Sequence, residues 1–221
     1  MKSVAFVPIK LNNERLPGKN LKSFDNGMPL LFYILNTALR VKAIDELYVY
    51  CSSNDVLEYL PKGVIFLERP SSLDLSSTSI TEVIAMFTQT IKADVYALLH
   101  ATAPFISVES IERGIYAVRD EVYDCALAVK RHQEFMWRDG KPENYDIYNI
   151  PRTQDLKPFY TETTGMYIFT KELAKENRRI GECPFLVNVS DIEAIDINEQ
   201  IDFEIANAIF NYVILKREVL P

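Results

Sequence analysis

The sequence predicts an α/β fold in three layers, a mostly parallel sheet covered by helices on both faces. Short β-rich runs alternate with segments of helical periodicity through residues 1–130, the repeat that builds parallel sheets. The first run, residues 4–9, is apolar almost throughout, as in a strand buried on both sides. At 221 residues the chain suffices for one large α/β domain or two small ones, and no repeat, low-complexity tract or linker divides it. One domain over 1–221 is expected.

The strand at 4–9 is followed by a helix at 30–41, where Leu31, Ile34, Leu35, Ala38 and Leu39 recur at helical spacing after Pro29, a residue suited to a helix start. Residues 47–51 read as a second strand, 55–60 as a short helix stopped by Pro61, and 64–67 as a third strand. Ser79-Ile80-Thr81-Glu82 is a capping-box pattern opening a helix to about residue 91. A strand at 95–99, a helix at 108–121 and a strand at 126–130 complete the alternation. In such sheets ligands sit beyond the carboxyl ends of the strands, which points to the segments after Ile9, Cys51, Leu67 and Leu99.

Residues 131–160 break the rhythm. They are polar and aromatic (Phe135, Met136, Trp137, Tyr145, Tyr148) and punctuated by Pro142 and Pro151. A stretch this long is a lid, an oligomer contact or a disordered segment, and its aromatic content favours an interface. The insert is drawn at 131–164. Beyond it, 165–169 and 185–189 read as strands, and 199–216 as a long amphipathic helix through Ile201, Ile205, Ile209 and Val213.

Composition narrows the function. Hydrophobic residues make up 48 % and charged residues 25 %, ordinary for a soluble globular protein. No stretch approaches the roughly 20 apolar residues of a membrane helix, and the apolar run behind Met1 is too short for a signal peptide, so a cytoplasmic location is expected. The net charge of −7 argues against a nucleic-acid partner. Cys51, Cys125 and Cys183 are widely spaced, with no CxxC pair to suggest a disulfide framework or a zinc site. Seven scattered glycines form neither a Walker A loop nor a dinucleotide fingerprint, no G-x-S-x-G elbow exists, and two histidines cannot supply a histidine-rich metal site.

The basic cluster that remains is Lys10, Arg15, Lys19 and Lys22, all in the loop after the first strand. Lysine and arginine are natural partners for triphosphate oxygens, and Asn12, Asn13 and Asn20 add side-chain donors. A solvated surface loop is the bland alternative. Further on, Asp196 and Asn198 stand two apart on what reads as an extended segment, a spacing that puts both on one face to share an ion, commonly Mg²⁺ where phosphates react. Asn198 would equally serve as a cap for the helix from Glu199.

The stretch from Lys10 to the Pro17-Gly18-Lys19-Asn20 ending resembles the signature loop of the acylneuraminate cytidylyltransferases. Lys10 stands where that family usually has Arg, and Arg15 where it often has Gly. Four further blocks follow in the family's order: residues 47–55, Glu68-Arg69-Pro70 with the Ser76–Ser79 run, Leu98-Leu99-His100-Ala101-Thr102-Ala103-Pro104, and residues 194–202. The third of these is similar to the family's Leu-Leu-Gln-Pro-Thr-Ser-Pro, and the last to its acidic C-terminal motif.

The resemblance implies a Rossmann-like nucleotidyltransferase fold. It implies transfer of CMP from CTP to an acidic 2-keto sugar, with release of pyrophosphate, in surface polysaccharide synthesis. Lys10, Arg15 and Lys19 would neutralise the triphosphate; Asn12, Asn13, Asn20, Arg69, Ser77 and Ser79 would hold the nucleotide. Asp196 would be the principal Mg²⁺ ligand and Asn198, where the family has Asp, a weaker one. His100, Thr102, Tyr160, Glu162 and Thr164 would face the acceptor, and the aromatic insert would make a homodimer. Glu162 replaces a family Arg, a change of two charge units that matters even at an effective dielectric near ~20. The acceptor is therefore expected to be a nonulosonate other than N-acetylneuraminate, another 2-keto-3-deoxy acid, or a differently charged sugar. Structural alternatives exist at each position: Arg69 pairing with a surface carboxylate, Ser79 capping its helix, His100 half-buried, Thr102 shaping a turn. A sugar-phosphate or alcohol-phosphate acceptor, or a silent nucleotide-binding homologue, is the alternative function.

Overall fold

The computed structural model describes residues 1–120 and 122–215. The strands are β1 (Ser3–Ile9), β2 (Glu46–Cys51), β3 (Val64–Glu68), β4 (Val95–Leu99), β5 (Cys125–His132), β6 (Trp137–Arg138), β7 (Lys141–Pro142), β8 (Phe159–Thr170) and β9 (Pro184–Asn188). The helices are α1 (Leu30–Arg40), α2 (Ile80–Thr90), α3 (Val108–Asp120), α4 (Lys171–Lys175) and α5 (Gln200–Ile209).

Seven strands form one sheet in the order β3-β2-β1-β4-β8-β5-β9, and β6 and β7 make a separate two-stranded ribbon. Parallel pairing runs through β3, β2, β1 and β4, and again between β5 and β9. β8 alone runs against its neighbours, antiparallel to β4 and to β5. Ile9 lies opposite Cys51 and Cys51 opposite Glu68, so the carboxyl ends of β1, β2 and β3 are level. Polar segments leaving those ends therefore share one edge of the sheet.

Side chains alternate across the sheet into two apolar layers. One, with Ala5, Val7, Ile9 and Leu99, packs against Leu31, Ile34 and Leu35 of α1 and Ile111 and Ile115 of α3. The other, with Phe6, Leu98 and Tyr167, packs against Ile84 and Phe87 of α2 and Leu173 of α4; Phe6 and Phe87 stack at 4.1 Å between ring centroids. The three-layer expectation therefore holds.

A third cluster joins distant parts of the chain. Leu16 and Phe24, from the loop after β1, are buried with Ile197 and with Phe203, Ala206 and Phe210. The Phe24 ring lies 5.1 Å from Phe203 and 5.7 Å from Phe210. Each fully buried aromatic or aliphatic side chain here contributes about 1.5–3 kcal/mol, so this cluster holds the loop against the C-terminal helix.

The structure corrects several sequence expectations. β5 continues to His132 and β8 begins at Phe159, so both ends of the 131–164 insert are strand, and the excursion from the main sheet is 133–158. Residues 55–60 are a 3₁₀ turn, Asn54–Tyr59, rather than an α-helix. The predicted helix 199–216 is α5 followed by a π-helical turn at Phe210–Ile214; its last residue, Lys216, and the Glu121 end of the helix at 108–121 lie outside the described residues. Its buried face also differs: Ile201 and Ile205 are 55 % and 50 % exposed, whereas Phe203, Ala206 and Phe210 face inward. The larger aromatic side chains bury more apolar area and win the contact with Phe24.

Candidate active site

The loop after β1 is built to hold its polar groups in place. Gly18 takes a left-handed conformation (φ 66°) just before the single 3₁₀ turn at Lys19–Leu21, and the Asn20 amide donates to the Lys10 carbonyl at 3.0 Å. Lys19 is buried, and its ammonium donates to the Ile197 carbonyl at 2.8 Å. Burial lowers the Lys19 pKa, partly offset by the charge of Asp196. Lys19 therefore ties the loop after β1 to the backbone beside Asp196.

The segment bearing that carboxylate is anchored twice. The Ile197 amide donates to the Thr102 carbonyl at 2.8 Å. Upstream, the Glu193 carboxylate accepts from the hydroxyls of Ser107 (2.6 Å), Ser110 (2.7 Å) and Ser190 (2.9 Å). Burial alone would raise the Glu193 pKa, but these bonds outweigh it and the net shift is downward. Ile197 is buried while Asp196 and Asn198, on either side of it, stay half-buried, so the two share the outward face. The Asn198 amide donates to Asp196 Oδ2 at 2.7 Å. In this arrangement Asn198 orients the carboxylate. The cap of α5 is Glu199, not Asn198.

A cavity of about 440 Å³ opens beside the loop, and Lys10, Asn13, Arg15, Lys19, Asn20, Arg69, His100 and Thr102 all line it. Arg69 is buried and ion-paired to Asp74, whose other oxygen accepts from the Ser52 hydroxyl. Lys10 reaches the same turn, donating to the Asp74 carbonyl at 3.2 Å. Asn13 Oδ1 and Arg69 Nε are buried without a hydrogen-bond partner among the described residues. Such groups cost free energy unless a ligand satisfies them.

Other predicted residues lie apart. Asn12 is exposed and outside the lining. Ser76 and Thr78 line the cavity rather than Ser77 and Ser79. Ser79 caps α2 in a complete capping box, its hydroxyl accepting from the Glu82 amide and its own amide donating to Glu82. Tyr160, Glu162 and Thr164 lie on β8, outside this cavity.

His100 ends β4, at the meeting point of the cavity and β8. Its amide donates to the Gly165 carbonyl at 3.2 Å, and its Nε2 is buried without a hydrogen-bond partner among the described residues. Burial, then the charge of Arg179, push the imidazole down to about 4, against the pull of Asp196. Next to it β8 bulges: Leu127 faces Tyr167 but Val129 faces Glu162. Within the bulge Thr164 takes φ 59°, a conformation rare for a β-branched residue, and its Oγ1 is buried without a hydrogen-bond partner among the described residues. Glu162 accepts a hydrogen bond from the Tyr167 hydroxyl at 2.7 Å, so it is not a bare anion.

Asp74 and Arg179 were not anticipated. Asp74 sits in a short Ser-Ser-Leu-Asp turn with no pattern of its own, and Arg179 follows Arg178 in a polar loop that reads as ordinary surface. The alternation of Ser76 and Thr78 within the Ser/Thr-rich run was the one available signal.

Asp196 and Asn198 are not among the residues lining the cavity. Cations gathered at the carboxyl ends of a largely parallel sheet mark the anion- and nucleotide-binding class of α/β proteins. Within that class the chain belongs to the cytidylyltransferase family, whose profile matches residues 4–195. Asp196 lies just beyond that match. The chain is similar to an N-acylneuraminate cytidylyltransferase of Oncorhynchus mykiss, 24 % identical over 213 residues covering 91 % of this chain and 49 % of the relative. It is also similar to a CMP-N,N'-diacetyllegionaminic acid synthase of Legionella pneumophila, 26 % identical over 92 % of this chain and 94 % of the relative. The chain spans about half the length of the first curated relatives it matches. Its fold is shared with a CMP:2-keto-3-deoxy-manno-octonic acid synthetase solved with CTP, at a TM-score of 0.71 and 16 % identity over 96 % of this chain and 99 % of the other. Among the described residues no helix is long and apolar enough to cross a membrane.

Proposed function

We propose that this protein transfers CMP from CTP to an acidic 2-keto sugar and releases pyrophosphate, in the synthesis of surface polysaccharide. The observation that carries the reading is the bond from the Lys19 ammonium to the Ile197 carbonyl, which sets a cationic loop against Asp196. Two relatives bear names that describe cytidylyl transfer to a nonulosonate, and this supports the acceptor class.

In this reading Lys10, Arg15 and Lys19 neutralise the triphosphate, and the orphaned Asn13 Oδ1 and Arg69 Nε find partners on the nucleotide. The anomeric hydroxyl of the acceptor attacks the α-phosphorus. A new P–O bond forms, the bond to the β-phosphate oxygen breaks, and the hydroxyl proton passes to solvent or a neighbouring base.

The residues present fit Mg²⁺. Asn198 occupies one oxygen of Asp196, and the other accepts no hydrogen bond among the described residues. That is the pattern of an ion held by one carboxylate, phosphate oxygens and water. Bound there, Mg²⁺ would neutralise charge on the phosphates.

We also propose a homodimer through the 133–158 excursion, where Trp137 and Tyr148 are 59 % and 92 % exposed, and a cytoplasmic location, where CTP is made. The test is pyrophosphate release with CTP, Mg²⁺ and a panel of 2-keto-3-deoxy sugar acids. Turnover with an acid of the panel supports the reading. Turnover only with sugar phosphates, or CTP binding without turnover, rejects it.

A further inference from the structure

Arg179 lies in the turn between α4 and β9, half-buried, with its guanidinium carbon 3.8 Å from the centre of the Tyr167 ring. It forms no ion pair among the described residues, whereas its neighbour Arg178 is paired with both Glu176 and Glu182. A half-buried guanidinium that has lost part of its water and gained only a ring face is an unusual thing to keep in a chain of net charge −7. Tyr167 is 1 % exposed and fixed by its hydroxyl bond to Glu162, so the ring is a rigid shelf for the guanidinium. The same ring stands 6.3 Å from His100. Charges from Arg179 and from Asp196 both act on that imidazole, with opposite sign.

We infer that Arg179 takes the carboxylate of the acceptor, the cation that replacement at Glu162 removed from β8. The inference rests on the functional reading above. In a 2-keto sugar acid the anomeric carbon carries both the reacting hydroxyl and the carboxylate, so whatever holds the carboxylate must stand close to the phosphate site. Arg179 answers that need by stacking on Tyr167, whose ring centre is 6.3 Å from that of His100 in the cavity lining. A guanidinium fork also matches a carboxylate in shape.

The experiment compares wild type, Arg179→Met and Arg179→Lys with CTP, Mg²⁺, a 2-keto-3-deoxy sugar acid and the carboxamide of that acid. Arg179→Met keeps apolar contact with the ring and removes the charge. It is expected to raise KM for the acid roughly ten- to a hundred-fold, the effect of losing one charge-assisted pair, with KM for CTP within about two-fold and the preference for acid over carboxamide abolished. Arg179→Lys keeps the charge without the fork and is expected to raise KM for the acid several-fold; it stands in if thermal unfolding shows that the Met variant does not fold. Wild-type turnover with an unchanged KM for the acid in the folded variant overturns the role of Arg179 alone, as does an equal loss for acid and carboxamide. A wild type that turns over no sugar acid overturns the functional reading, and this inference with it.

Discussion

The Lys19 ammonium donates to the Ile197 carbonyl at 2.8 Å, across 178 positions of sequence. The contact is buried, and its acceptor sits between Asp196 and Asn198, so loop and carboxylate cannot shift independently. Lys19→Met is expected to raise KM for CTP at least ten-fold. Loss of the hydrogen bond should lower stability by only about 1 kcal/mol. Initial rates at varied CTP, with urea unfolding of both proteins, check the pair of outcomes. An unchanged KM for CTP would remove Lys19 from the nucleotide site.

Asp196→Ala is expected to cut kcat/KM by roughly 10²–10³, the usual cost of removing one preorganised electrostatic contact, while Tm stays near wild type. Asn198→Asp is expected to lower the Mg²⁺ concentration needed for half-maximal rate, since a second carboxylate then flanks Ile197. Titration of the rate with Mg²⁺ measures both. Asp196→Ala with full activity would exclude Asp196 from the reaction.

His100 gives the fold an acid sensitivity. Its imidazole stays neutral in the folded chain to about pH 4, whereas the unfolded chain takes up that proton near 6.5. The unfolded state then binds more protons inside that window. Stability is therefore full above 6.5, falls as the pH drops and levels off below about 4. The whole loss is of order 3 kcal/mol. His100→Gln should flatten this part of the profile, read by urea unfolding between pH 7 and 4 without nucleotide.

The β8 bulge supplies a matched pair of stability tests. Thr164→Gly removes a β-branched residue from φ 59° and is expected to stabilise the protein by roughly 1 kcal/mol. Gly165→Ala should destabilise it, because the new methyl would meet the Ala103 side chain at 2.9 Å. Thermal unfolding of the two variants should shift Tm in opposite directions.

The sequence was most legible where period and local chemistry agreed. Residues 95–99 and the Ser79 capping box form as read, because strand runs and caps are fixed by near neighbours. Lys19 and Asp196 were read as partners from resemblance and charge, and the fold brings them together. What escaped was set by distant packing. Phe203 and Phe210 face inward because Phe24 waits there, and no periodicity count within α5 contains that fact. The reversed direction of β8 is a property of the whole sheet, so Tyr160–Thr164 looked like insert. Glu162 reads as a lost cation by resemblance to a family Arg, and nothing in its own segment announces the Tyr167 hydroxyl as its donor.

By re-entering the sheet between β4 and β5, β8 splits the molecule's inheritance in two. The residues lining the cavity beside the β1 loop fall between Pro8 and Thr102, and those proposed for the acceptor come largely from 159–179. If that division holds, substitutions in the later stretch retune what is accepted while the stretch before Thr102 keeps its shape. On the proposed function, a change of acceptor would need no new scaffold, only drift along one strand and the turn that follows.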